Sequence, residues 1–137
     1  MEWLLNACKV LFDESPQAIG IARVLVDDAG KPYDFSYEYL NPVMAAFTDE
    51  TVDDLMGIHA YEQWGDDDIS WLNHFSEAAF EGIACEFETV AIIIEKFLHA
   101  TVTPLIEGYC SFSIQDVTTL VDQDLYKDDD LAVGFFF

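Results

Sequence analysis

The sequence predicts an α+β domain built on one antiparallel sheet. Three observations carry that reading. Two stretches rich in branched and aromatic residues, 18–27 and 33–40, flank a turn near the start of the chain. Short capped helices and one longer amphipathic helix, Ile69 to Gly82, follow. From Ile83 the apolar period switches from helical to two and continues to Asp116. Strands, then helices, then strands is the order of an α+β fold, not of alternating βαβ units. The three C-terminal strands form an antiparallel meander, the N-terminal hairpin joins the same sheet, and the helices cover one face.

Each element has a local cause. Over 2–12, apolar side chains at Leu4, Ala7, Cys8, Leu11 and Phe12 fall at i, i+3, i+4, i+7 and i+8, which predicts a helix. Pro16 ends it, because proline disfavours helical geometry at Ser15. Residues 18–27 form the first strand, Asp28-Ala29-Gly30-Lys31-Pro32 the turn, and Tyr33 to Leu40 the return strand. Asn41 is an N-cap and Pro42 suits the first helical position, where its missing N–H costs nothing. Thr51-Val52-Asp53-Asp54 resembles a capping box, and Gly57 is placed to end that helix. His59 to Gly65 has no clear period and reads as irregular or as one more helical turn. Asp66-Asp67-Asp68 sets acids at the positive end of the long helix, with Ile69, Leu72, Phe75 and Ala79 on one face.

In the meander, Ile83, Cys85 and Phe87 alternate with Glu86 and Glu88. A longer extended segment, Ile92 to Thr103, places Phe97, His99 and Thr101 on one face and Leu98, Ala100 and Val102 on the other. Tyr109 to Asp116 is the last strand. Thr118-Thr119 caps a further helix with Leu120, Val121 and Leu125 apolar. The tail, Leu131 to Phe137, is apolar; packing in a dimer and a truncation remnant both remain open for it. The division is an N-terminal helix (1–12), a central domain (13–118) and a C-terminal helix with its tail (119–137).

Composition narrows the function. Hydrophobic residues make up 52% of the 137, so a core is expected rather than disorder. Five Lys plus Arg face 27 Asp plus Glu, a net charge of -22. Such a surface repels phosphate backbones and anionic headgroups, which argues against nucleic-acid and membrane partners. Its plain reading is solubility or an acidic cellular background. Three cysteines without CxxC spacing argue against a metal finger or disulfide framework and point to a reducing cytoplasm. Met1-Glu2-Trp3 lacks a basic leader region, and no apolar run nears the roughly 18 residues needed to span a bilayer.

The order of elements, with the motifs inside it, resembles a PAS sensory domain over about residues 12 to 118. Phe12-Asp13-Glu14-Ser15-Pro16-Gln17-Ala18-Ile19 is similar to that family's entry into its first strand. Tyr39-Leu40-Asn41-Pro42 with Phe47-Thr48 resembles its strand-to-helix step, and Leu55-Met56-Gly57 the close of its next helix. Gly108-Tyr109 through Ile114-Gln115-Asp116-Val117-Thr118 resembles its last strand and exit motif. The resemblance implies a cytoplasmic bacterial signal-transduction module. It senses a small molecule, dimerises, or does both, to control an effector such as a histidine kinase or cyclic-dinucleotide cyclase. It also makes 116–118 a hinge. Flavin-binding members carry a cysteine motif before the long helix; Tyr61 to Asp66 has none. Haem-binding members use a histidine on that helix; His74 lies there, but Trp71-Leu72-Asn73 does not otherwise match. Flavin and haem are therefore not expected, and the ligand is unknown.

Chemical motifs are sparse. The chain has no GxSxG elbow, no phosphate-binding glycine loop and no Cys–His pair that the sequence places together, so no enzyme is expected. His59 and Glu62 stand at i, i+3 but lack a third metal ligand nearby. Cys85 and Cys110 read as small inward hydrophobes. Tyr37, Tyr39, Met44, Phe47, His74, Phe75, Phe97, His99 and Phe112 are the candidate ligand-contacting residues, with Phe87 beside them. Two readings of that aromatic set stay open: walls of a small-molecule cavity, or a filled core.

Overall fold

The computed structural model describes residues 2–47, 50–65, 70–91, 95–118 and 132–134. Helix α1 (Glu2–Phe12) precedes the hairpin β1 (Ala18–Val26) and β2 (Pro32–Leu40). A 3₁₀ segment (Pro42–Phe47), α2 (Val52–Leu55), α3 (Ala60–Trp64) and the long α4 (Ser70–Glu81) follow. The meander is β3 (Cys85–Ala91), β4 (Lys96–Pro104) and β5 (Tyr109–Asp116). These five strands form one open antiparallel sheet in the order β2-β1-β5-β4-β3. A short β6 (Ala132–Gly134) lies parallel to β3 at Thr89 to Ala91. This is the expected α+β, PAS-like arrangement, with the hairpin and the meander joined through β1 and β5. The expected helix over 119–126 lies outside the described residues, and part of the apolar tail forms β6.

Local chemistry explains the turns. Asp27 Oδ1 accepts the N–H groups of Ala29 and Lys31, each at 2.9 Å, closing the β1–β2 turn around Gly30 at φ 80°. Thr51 Oγ1 accepts from Asp54 N–H at 3.1 Å, so that predicted cap forms. Gly57, at φ 76°, donates to the Tyr37 carbonyl. Isolated bridges Tyr37–Met56 and Ser36–His59 continue this contact along β2. The outer edge of β2 is thereby covered, which removes it as a template for pairing with other chains.

The sheet has two differently used faces. On one, Ala22, Val24, Phe35, Tyr37, Leu98, Ala100, Val102, Cys110, Phe112 and Ile114 pack beneath Trp71, Leu72, Phe75, Ala78 and Ala79 of α4. On the other, Ile21, Tyr39 and Tyr109 receive Leu4, Leu5, Cys8 and Phe12 of α1. Helices 2 to 4 thus cover one face as expected, and α1 lies on the opposite one.

A bulge in β2 decides which tyrosine goes where. Ala22 pairs with Tyr37 and Ile21 with Tyr39, so Glu38 is an extra residue on its strand. Strict alternation would put both tyrosines on the same face. The inserted residue turns Tyr39 to the α1 side while Tyr37 stays under α4. Both are buried, in different cores.

Candidate functional site

The nine candidate residues separate into three groups. Tyr37, Met44, Phe75 and Phe112 come together in the core between sheet and helices, with Phe47 packed against its margin. They meet as a continuous ring network: Phe35–Phe75 at 4.9 Å, Phe75–Phe112 at 5.2 Å, Tyr37–Phe112 at 5.8 Å and Trp71–Phe75 at 5.6 Å between centroids. The Phe35–Phe75 pair is edge-to-face, at 87° between planes, a geometry that adds to the area buried. Burial raises the Tyr37 phenol well above its ordinary pKa, with Tyr61 adding to the effect. Where these residues meet, their rings are in mutual contact.

Tyr39, Phe97 and His99 do not belong to that core. The Glu38 bulge removes Tyr39. On β4 the expected alternation is present, but Leu98, Ala100 and Val102 form the inward set, so Phe97 and His99 face the other side. His99 Nδ1 lies 2.7 Å from Glu88 Oε1 and its Nε2 lies 3.2 Å from Glu86 Oε1. Those hydrogen bonds, to Glu88 first and then Glu86, raise the imidazole pKa against the opposing effect of burial. His99, Glu86, Thr101, Gln17, Phe47 and Asp116 help to line an open groove of about 580 Å³.

His74 takes a third position, on the flank of α4. Its ring stacks on Phe87 at 4.1 Å and 15°, and its Nδ1 stands 3.4 Å from Cys85 Sγ. The fold therefore brings together a Cys–His pair that sequence proximity does not offer. His59 Nδ1 and Glu62 Oε2 also meet, at 3.4 Å, but no group suited to a metal ion is found among the described residues.

The junction between α1, β1 and β2 is a densely bonded polar site. Asn41 is fully buried. Its Oδ1 accepts the Ile19 N–H at 3.0 Å, while its Nδ2 donates to the carbonyls of Phe12 at 3.1 Å and Gln17 at 2.6 Å. The predicted cap is thus a long-range clamp: the side chain serves the end of α1 and the start of β1, not the helix it precedes. Tyr39 Oη donates to Asp13 Oδ1 at 2.6 Å beside it. Burial first, and then the Asp13 carboxylate, push the Tyr39 phenol far above its ordinary pKa.

Above this clamp, α1 is apolar on almost every side. Its polar sector holds only Glu2, Asn6 and Lys9. Leu4, Leu5, Cys8 and Phe12 face the sheet, whereas Trp3, Val10 and Leu11 remain 73%, 86% and 67% exposed. At 100° per residue, Trp3, Ala7, Val10 and Leu11 span a second apolar arc of about 100°. Sequence periodicity found the helix but not the division of its two faces.

Asp34 escaped sequence reading. Buried in β2, its carboxylate accepts the N–H groups of Phe35 and Tyr61 at 2.8 Å each and of Glu62 at 3.2 Å. It fixes the start of α3 from a distance. An acid between two aromatic residues, Tyr33-Asp34-Phe35, was the available signal. At the other end of the domain the expected hinge is pinned to β4. Phe97 N–H donates to Thr118 Oγ1, Val117 N–H to the Phe97 carbonyl, and Thr118 N–H to Asp116 Oδ1, each at 2.9 Å. The Thr118 bonds, and then Lys96, hold the Asp116 carboxyl below its ordinary pKa.

No helix among the described residues is long and apolar enough to cross a membrane. No protein-family model and no curated protein matches this chain.

Proposed function

We propose that this chain is a PAS-like regulatory module that works by self-association through α1. The observation that carries this reading is the two-sided apolarity of that helix. One stripe is spent on the sheet; the arc of Trp3, Val10 and Leu11 is left uncovered. Exposed apolar side chains grouped along one helix gain most from a matching surface. Glu2 is the only one of the 27 acidic residues within α1. A second copy, itself carrying a net charge of -22, meets least repulsion there.

Regulation follows from the clamp. Asn41 bonds the last residue of α1, the entry to β1 and the exit from β2 in one contact set. A shift of α1 on pairing is therefore felt at the start of the sheet and in the 3₁₀ segment. The effector that the resemblance implies, a kinase or cyclic-dinucleotide cyclase, would read that shift. The ring-filled core favours self-association over an internal small-molecule ligand as the primary event.

Native mass spectrometry of freshly purified protein tests the choice. A bare dimer supports this reading. A monomer carrying one bound small molecule supports the other, a sensor whose ligand enters the α4 side of the sheet.

A further inference from the structure

Cys85 opens β3 where the chain returns from α4, and His74 sits in the N-terminal half of that helix, beside it. The two come within 3.4 Å, Sγ to Nδ1. The imidazole is held by its stack on Phe87 at 4.1 Å, which fixes the ring plane relative to the sulfur. A nucleophile within hydrogen-bond reach of a base that is itself oriented by a third group is the arrangement that activates thiols. The other two cysteines are buried, Cys8 beneath α1 and Cys110 in the main core, where burial pushes its thiol up to about 12. Cys85 alone of the three is partly exposed.

We propose that Cys85 is a thiol–disulfide exchange site, with His74 as its base and small neutral or cationic disulfides as its substrates. With the ring proton on Nε2, the Cys85 S–H donates to His74 Nδ1. In the reaction Nδ1 takes that proton and the sulfur attacks one sulfur of the incoming disulfide. A new S–S bond forms to Cys85, the old S–S bond breaks, and the leaving thiolate takes the proton back from the imidazolium. Cys85 is oxidised and half of the disulfide is reduced, so no further oxidant is needed.

Register and charge set the substrate class. Cys85 pairs with Val102, and Pro104 pairs with Cys110, so the two cysteines stand two strands and two residues apart. Two strand spacings are already about 10 Å, beyond the roughly 7 Å between Cα atoms that a disulfide spans. Cys8 lies on the opposite face of the sheet. The product is therefore a mixed disulfide with an external thiol. Burial and then the Glu77 carboxylate raise the Cys85 thiol, so it waits un-ionised and depends on its base. The same carboxylate, on a chain of net charge -22, attracts cationic disulfides and repels anionic ones.

The test is modification of the folded chain by cystamine and by glutathione disulfide, with the adduct located by mass spectrometry. The expected result is a single adduct at Cys85, formed faster by cystamine at low salt, and lost in Cys85→Ser. General-base assistance predicts that His74→Asn slows the reaction by about 100-fold. The pH profile of the unaltered protein gives an independent reading if that variant does not fold. With His74 as base, the rate levels off once the imidazole is neutral, then rises again as the thiol ionises. First modification at Cys8 or Cys110 would overturn the proposal. So would a rate that climbs about tenfold per pH unit without a plateau, as a thiol acting alone does.

Discussion

Asn41 donates its carboxamide N–H to the carbonyl of Phe12, the last residue of α1, across 29 positions of sequence. With the bonds to Ile19 and Gln17, that contact makes the end of α1 part of the sheet's own hydrogen bonding. Replacing Asn41 by Ala removes the partner of one partly buried N–H and two partly buried carbonyls at once. Each such group costs about 1–3 kcal/mol, so a loss of about 3 kcal/mol is expected in urea unfolding. Asn41→Asp keeps the acceptor for Ile19 but sets a buried carboxylate oxygen against the two carbonyls, and should cost at least as much as Asn41→Ala.

Asp34 should behave as a remote helix cap. Asp34→Asn leaves a similar shape but weakens the bonds from Phe35, Tyr61 and Glu62 by removing the charge. Charge-assisted bonds contribute about 1.5–3 kcal/mol, and a loss of about 2 kcal/mol is expected. Hydrogen exchange should quicken first in α3.

Gly20 is required by its neighbour. A Cβ there would lie 2.5 Å from Phe112 Cζ and 2.9 Å from Leu40 Cδ2. Phe112 is wedged against Tyr37, Phe75 and Trp71 and has no free direction in which to move. Gly20→Ala should cost about 1–3 kcal/mol, the usual range for overpacking a core. An unchanged unfolding midpoint would refute the described packing.

His99 gives the stability of the fold a specific pH signature. Its folded pKa is raised, chiefly by Glu88 and then Glu86. The stabilisation is therefore fully present below the unfolded value, about 6.5, and is lost as pH rises through the higher folded value. His99→Gln removes that component. The difference in urea midpoint between the two proteins should be largest at mildly acidic pH and shrink above neutrality. Comparing the two proteins at each pH cancels the titration of the many other acids.

The succession of elements along the chain was largely legible because it rests on local signals: Thr51 as a cap, Gly57 as a stop, alternation on β4. What was not legible came from long range or from near-symmetry. The Glu38 bulge is set by how β2 meets β1, and it moved Tyr39 to the other core. Alternation placed Phe97 and His99 on one face but did not say which face is inside; the aliphatic set of Leu98, Ala100 and Val102 won α4. Helix α1 is apolar nearly all round, so its periodicity could not select the buried stripe. Leu5 packs toward the sheet where Leu11 was expected. Asn41 looked like a cap because its true partners lie 22 to 29 residues earlier.

The central claim is that the outer arc of α1 is a self-association surface, and sedimentation equilibrium tests it most directly. The chain should show a reversible monomer–dimer equilibrium that tightens with added salt, as screening relieves repulsion between two acidic copies. Val10→Glu places a charge on an exposed side chain that makes no contribution to the core. It should raise the dissociation constant at least about tenfold, equivalent to about 1.4 kcal/mol, and leave the unfolding of the monomer unchanged. A chain that stays monomeric at every concentration and salt, or a dimer indifferent to Val10→Glu, would contradict the account.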